Sequence, residues 1–124
     1  MKKLMIGCFI LTALIACGSS DSTENKSSTG GDITQNPDYQ KGLDLVARYK
    51  CMTCHQIDEK LTGPPYREVA NKYAGMSDTI VTHLAKKVLT GGNGVWGEIF
   101  MTPHPDVSQA DAETMVKYIL LLKK

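Results

Sequence analysis

Cys51-Met52-Thr53-Cys54-His55 carries the most specific chemistry in this sequence. Two thiols three positions apart can each bond to one of the two vinyl groups along one edge of a porphyrin. The next residue, His55, then lies under the ring and presents its imidazole to iron. In an exported chain, C-x-x-C-H reads as covalent haem attachment. Other uses of the motif need partners that the sequence does not offer. A zinc site needs two further ligands, and the remaining histidines, His83 and His104, are isolated and lack a second cysteine pair. A thioredoxin-like dithiol needs a βαβ setting, for which no strand pattern exists. A Cys51–Cys54 disulfide would close too small a loop to stabilise much.

A second axial ligand would decide what the iron does. A thioether raises the reduction potential, and a second imidazole lowers it. The candidate sulfurs are Met52, Met76, Met101 and Met115. Met52 lies inside the attachment motif and is poorly placed to reach the opposite face. Met115 falls on an apolar helical stripe, where packing is the ordinary role. Met76 stands at the start of a helix. Met101 lies in a Gly/Pro-containing loop, before Thr102-Pro103, that can fold over the open haem face. His104 is the rival imidazole, three residues on, and His83 is expected on the solvent face of a helix.

These residues must be placed by a short chain. Its 124 residues suit one domain, and a net charge of +1 gives no argument for nucleic acid. The four cysteines divide between two roles. Lys2 and Lys3 precede an apolar run, Leu4 to Ala16, that is too short for a comfortable membrane span and ends in Leu14-Ile15-Ala16-Cys17. This resembles a bacterial lipobox, in which the cysteine is lipidated and becomes the mature N-terminus. Residues 1–16 are therefore expected to be a signal peptide that removes Cys8, with Cys17 the lipidation site. An uncleaved N-terminal anchor is the competing reading. Without Lys2 and Lys3, 12 basic side chains face 13 acidic ones, a balance of −1. Gly18 to Asn36 is rich in Ser, Thr, Gly and Asn and too poor in apolar groups to offset the entropy of ordering. Residues 17–36 thus read as a flexible, lipid-ended linker with a reach of about 25 Å, either a tether for sampling partners or a plain spacer.

Residues 37–124 show helical periodicity and no period-two run, so an all-α domain without a sheet is expected. Asn36 caps a first helix with Pro37 at its first position, and Leu43, Val46 and Ala47 mark its inner face as it runs towards Lys50. Tyr66, Val69, Ala70 and Tyr73 define a second helix ended by Gly75. Ser77 is the expected cap of a third, with Ile80, Leu84 and Val88 inward and Gly91-Gly92 stopping it. Ser108 and Asp111 make a capping box for a last helix, striped by Ala112, Met115, Val116, Ile119 and Leu122. Gly91 to Val107 is a long loop, and a loop of that length in a small domain usually has a function.

In this order the features resemble the small single-haem class I cytochromes c of bacteria, especially the c-551-like group, over nearly all of Pro37 to Lys124. The resemblance implies a cytochrome c fold, four to five short helices wrapped around one covalently bound haem c. Gly63-Pro64-Pro65-Tyr66 is similar to the family's G-P-x-Y, in which the first proline's carbonyl accepts the axial histidine's Nδ1–H; this gives Pro64 the task of orienting His55. Gly94-Val95-Trp96-Gly97 is similar to the family's G-V-W-G, whose Trp N–H bonds a haem propionate. A basic residue on the preceding helix also meets a propionate, which falls at Lys87 here. Trp96 as an apolar plate over the haem edge is the plainer alternative. The family places its methionine ligand after the Trp, which favours Met101, and crosses its last helix over its first at a glycine, which pairs Gly42 with Tyr118. Phe100-Met101-Thr102-Pro103-His104-Pro105 departs from the family's P-M-P-P-N, so the rigidity of the loop is not implied.

The expected function is one-electron transfer rather than catalysis. Both axial positions filled by protein leave none for a substrate. Partners would be redox proteins of a respiratory chain, a quinol-oxidising complex and a terminal oxidase or reductase by family analogy. They would dock transiently on a monomer at the haem edge. Lys50, Lys60 and Lys72 are either a steering rim or ordinary solvated lysines. Localisation would be at a bacterial membrane through the lipid on Cys17, facing the periplasm or the outer face of the cell membrane. A haem-based sensor or peroxidase-like protein is the alternative if Met101 is not a stable ligand.

Overall fold

The computed structural model describes residues 32–124. The signal peptide, Cys17 and the linker up to residue 31 lie outside the described residues. The last linker residues do hold structure: Asp32 accepts from the Thr34 N–H and caps a single 3-10 turn at Ile33–Gln35. Four helices follow. Helix α1, Pro37–Arg48, begins as the sequence requires, with the Asn36 side chain accepting from the Asp38 N–H at 2.8 Å and Pro37 at the first position. Leu45 and Val46 are its buried face, while Ala47, expected inside, is exposed.

Helix α2, Tyr66–Tyr73, buries Tyr66 and Ala70. Helix α3, Thr79–Thr90, starts without the expected serine cap. Ser77 Oγ instead shares a 2.7 Å hydrogen bond with Thr79 Oγ1, so its oxygen does not cap the helix, and Asp78 at the N-cap makes no side-chain cap. Gly91, at φ +66°, ends α3, and its N–H returns to the Lys87 carbonyl at 2.9 Å. Helix α4, Gln109–Leu121, is capped by Ser108 Oγ, which accepts from the Asp111 N–H at 3.1 Å. The Asp111 carboxylate takes the Tyr49 O–H at 3.3 Å rather than completing the capping box, which ties the end of α1 to the start of α4.

The expectation of no sheet is corrected in the long loop. Strands β1, Gly92–Gly94, and β2, Gly97–Met101, pair antiparallel, with Gly92 opposite Met101 and Gly94 opposite Gly97. Glycine supplies positive φ at 92, 94 and 97, a backbone region closed to most side chains, so the hairpin carries no apolar alternation in its first strand.

Helices α1 and α4 form the centre of the core and cross at Gly42, as the resemblance implied. A Cβ on Gly42 would collide with Tyr118 Cβ and stand 2.8 Å from the Thr114 carbonyl oxygen. Tyr118, fully buried, packs edge-on against Tyr39 and Tyr66 at centroid distances of 5.1 and 6.5 Å. Gly42→Ala sets a helix-propensity gain of about 1 kcal/mol against an overpacking cost of about 1–3 kcal/mol. The colliding atoms are a Cβ and a backbone carbonyl, which cannot swing away. A net loss of about 1–2 kcal/mol is expected, read as a lower denaturant midpoint of the haem-loaded protein at an unchanged slope.

Candidate haem-attachment site

The attachment motif is set by the way α1 ends. Lys50 takes φ +56°, the left-handed region, and is the one non-glycine residue to do so among those described. The chain then turns into a 3-10 turn, Cys51–Thr53, in which the Cys54 and His55 N–H groups both point at the Cys51 carbonyl, at 3.2 and 3.1 Å. Strain of this kind persists where the surroundings over-determine it, and here it brings both thiols and the imidazole onto one tight turn. Cys51 is half-buried and Cys54 exposed.

His55 is held by the chain that follows it. Its Nδ1 lies 2.9 Å from the Pro64 carbonyl oxygen. A carbonyl only accepts, so Nδ1 carries the proton and Nε2 keeps its lone pair free for a metal. The loop between them is closed by Gly63 N–H to Cys54 O at 2.8 Å, Tyr66 N–H to Gln56 O at 2.8 Å and Arg67 N–H to Ile57 O at 3.0 Å. The Tyr66 ring stacks on the imidazole at 5.3 Å and 14°. A Cβ on Gly63 would stand 2.6 Å from His55 Nδ1 and 2.8 Å from Nε2, so only glycine leaves the ring its place. Sequence reading gave Gly63 and Tyr66 no task beside His55. Their adjacency to Pro64-Pro65 was the available signal.

A polar clasp backs this loop. Arg67 donates through Nε and Nη2 to the Asp58 carboxylate and through Nη1 to the Leu122 carbonyl at the end of α4. The Lys124 N–H reaches Asn71 Oδ1 at 3.0 Å. Hydrogen bonding to Arg67 holds the Asp58 carboxyl below its ordinary range.

The four methionines separate by environment. Met115 is buried in the core, Met52 packs against its edge, and Met76 is 55% exposed. Met101 is half-buried at the end of β2, beside the base of the hairpin: a Cβ on Gly91 would collide with its carbonyl. Strand alternation puts Met101 on the same side as Ile99, with Glu98 and Phe100 on the other. His104 is half-buried and donates its backbone N–H to Val88 O at 3.2 Å; His83 is exposed. Lys87 is exposed on α3, near β1. The residue beside the Trp96 ring is Lys72, with its ammonium 5.5 Å from the centroid.

The donor set suits an attached haem. Two thiols sit on one turn, and one imidazole has its tautomer fixed. Apolar side chains at Val95, Ile99 and Phe100 stand 59–66% exposed on the hairpin, a payload that a buried ring could cover. Among the described residues no three His, Cys, Asp or Glu side chains gather into one cluster. Helices joined to a C-x-x-C-H turn with a pre-oriented histidine define a c-type haem protein.

Comparison with known proteins agrees. The family model for cytochrome c matches residues 39–123. Cytochrome c-552 of Nitrosomonas europaea is 35% identical over 123 residues, 99% of this chain and all of that protein. Cytochrome c-551 of Azotobacter vinelandii is 44% identical, covering 68% of this chain and all of that protein. The crystal structure of the wild-type Nitrosomonas europaea cytochrome superposes with a TM-score of 0.61 at 43% identity, over 65% of this chain and 99% of that one. The chain belongs to the cytochrome c family, in its class I, c-551-like group. It carries one haem c, covalent through Cys51 and Cys54, and is an electron-transfer protein rather than an enzyme.

The clasp gives a pH test. A carboxyl whose folded pKa is depressed adds stability above its unfolded pKa and loses it as pH falls through the folded value. The holoprotein is therefore expected to exceed Asp58→Asn in stability at neutral pH, with the gap closing below pH 3.8, the ordinary value for the group. Denaturant titrations across that range check it.

Proposed function

We propose that this protein is a membrane-tethered one-electron carrier of a respiratory chain. The observation that carries the proposal is the 2.9 Å contact from His55 Nδ1 to the Pro64 carbonyl, which leaves Nε2 as a fixed, unprotonated ligand. When bound, the haem supplies a one-electron ferric/ferrous couple. His55 would hold the iron through Nε2, with Pro64 fixing its ring orientation and raising its basicity. Met101, brought to the base of the hairpin by β2, would be the second ligand, and its thioether would favour the reduced state. With both residues so engaged, small molecules would be kept from the metal. Trp96 N–H and the Lys87 ammonium are donors toward the propionates, as a point charge and a single N–H rather than a bidentate fork.

Among the described residues no helix is long and apolar enough to cross a membrane. Attachment is assigned to a lipid on Cys17, with residues 18–36 as the tether and the domain on the periplasmic or outer face. The full-length match to the Nitrosomonas europaea protein includes this leader region and supports export. Partners are a quinol-oxidising complex and a terminal oxidase or reductase, met transiently by a monomer at the edge near Cys51 and Cys54. Lys50, Lys60 and Lys72 are exposed, and their charge is suited to steering.

The test is spectroscopic. Denaturing the purified protein should leave the haem attached, and the ferric form should show the weak far-red band of methionine sulfur on iron. Met101→Ala should abolish the band, lower the potential and let the reduced protein bind carbon monoxide. A wild type without the band, or one that binds carbon monoxide itself, would turn the assignment towards a sensor or peroxidase-like protein. Separately, Cys17→Ser should move the protein from the membrane fraction to the soluble fraction, with its haem spectrum unchanged.

A further inference from the structure

The hairpin that ends in Met101 is tied at its base to the end of α3. At the base, the Gly91 N–H reaches Lys87 O, the His104 N–H reaches Val88 O, and Gly91 lies against Met101 and Pro103. Beyond that, the backbone passes through glycines at positive φ at 92, 94 and 97. Such a ribbon is marginal alone, since an isolated two-stranded hairpin is barely stable in water. A contact from another element reaches its tip: the Lys72 ammonium lies 5.5 Å from the centroid of the Trp96 ring. That distance is within cation–π range.

Lys72 sits in the last turn of α2. The first residue of the same helix, Tyr66, stacks on His55 at 5.3 Å. Helix α2 therefore touches the imidazole with one end and the hairpin tip with the other. It is short and continuous, with Ala70 fully buried in the core between these contacts. A rigid element in this position sets the hairpin relative to the imidazole. We propose that Lys72 is a positioning residue: through its cation–π contact with Trp96 it pins the methionine hairpin to α2 and holds Met101 in place for the metal. This assignment rests on Met101 being the sixth ligand, as argued above.

The contact is exposed, and pairs of this kind contribute modestly, so the expected effect of losing it is about two- to fivefold on the equilibrium between bound and released Met101. Exogenous imidazole, titrated into the ferric holoprotein while the far-red band is followed, reads that equilibrium directly. Lys72→Ala should bind imidazole about two- to fivefold more tightly than wild type. Lys72→Arg, whose guanidinium also stacks on indole, should bind it as wild type does, and Lys72→Gln should follow Ala. Proton NMR of the reduced wild type should show the Lys72 ε-methylene protons shifted upfield by the Trp96 ring, a shift lost in Trp96→Leu. Equal imidazole affinity in wild type and Lys72→Ala would overturn the proposal. So would a loss in Lys72→Arg as large as that in Lys72→Ala. If the wild type lacks the far-red band, the Met101 assignment itself falls. The upfield shift would then still decide whether Lys72 pins the hairpin.

Discussion

A metal-binding imidazole must offer one nitrogen and keep its proton on the other, and much of this chain is arranged around that requirement. The Pro64 carbonyl takes the Nδ1 proton. It can do so because the chain from Cys54 to Arg67 is closed by backbone hydrogen bonds at both ends, and because position 63 lacks a Cβ. Each piece would be ordinary alone. Together they leave His55 one tautomer and one orientation before any haem is considered, so little reorganisation remains when the iron is bound or changes charge.

The same loop is anchored from behind. Arg67 spans from Asp58 to the end of α4, and α4 is locked to α1 where Gly42 admits Tyr118. α1 in turn delivers the attachment turn through the left-handed Lys50. The path from thiols to histidine to core thus closes on itself: α1 sets the cysteines, α4 sets α1, and Arg67 joins the histidine loop to α4. A domain this small buries a modest core, and polar contacts at its rim, such as Tyr49 to Asp111, add to what the apolar crossing fixes.

Legibility in the sequence followed the range of each interaction. The C-x-x-C-H spacing, the Asn36 and Ser108 caps and the helical periodicities are local, and the structure carries them except at Ala47, which faces solvent. The Ser77 cap was misread because the hydroxyl of Thr79, two residues away, competes for the serine oxygen. The hairpin was missed because glycine carries no apolar signal, whatever strand it forms. Arg67 to Leu122 and Lys72 to Trp96 join distant segments and leave no trace in any window. The Gly42 crossing and the Pro64 carbonyl are equally non-local, and they were legible only through resemblance to a family.

The two faces of the site are therefore built differently. His55 stands on a loop tied into the core, with its partner, its stacking ring and its clearance all fixed by buried or backbone groups. Met101 stands at the end of a glycine-rich ribbon. With glycines at positive φ along it, the position of the ribbon is set by contacts outside it. The base of the hairpin provides some of them through Gly91 and Val88, and the ammonium over Trp96 provides one at the tip.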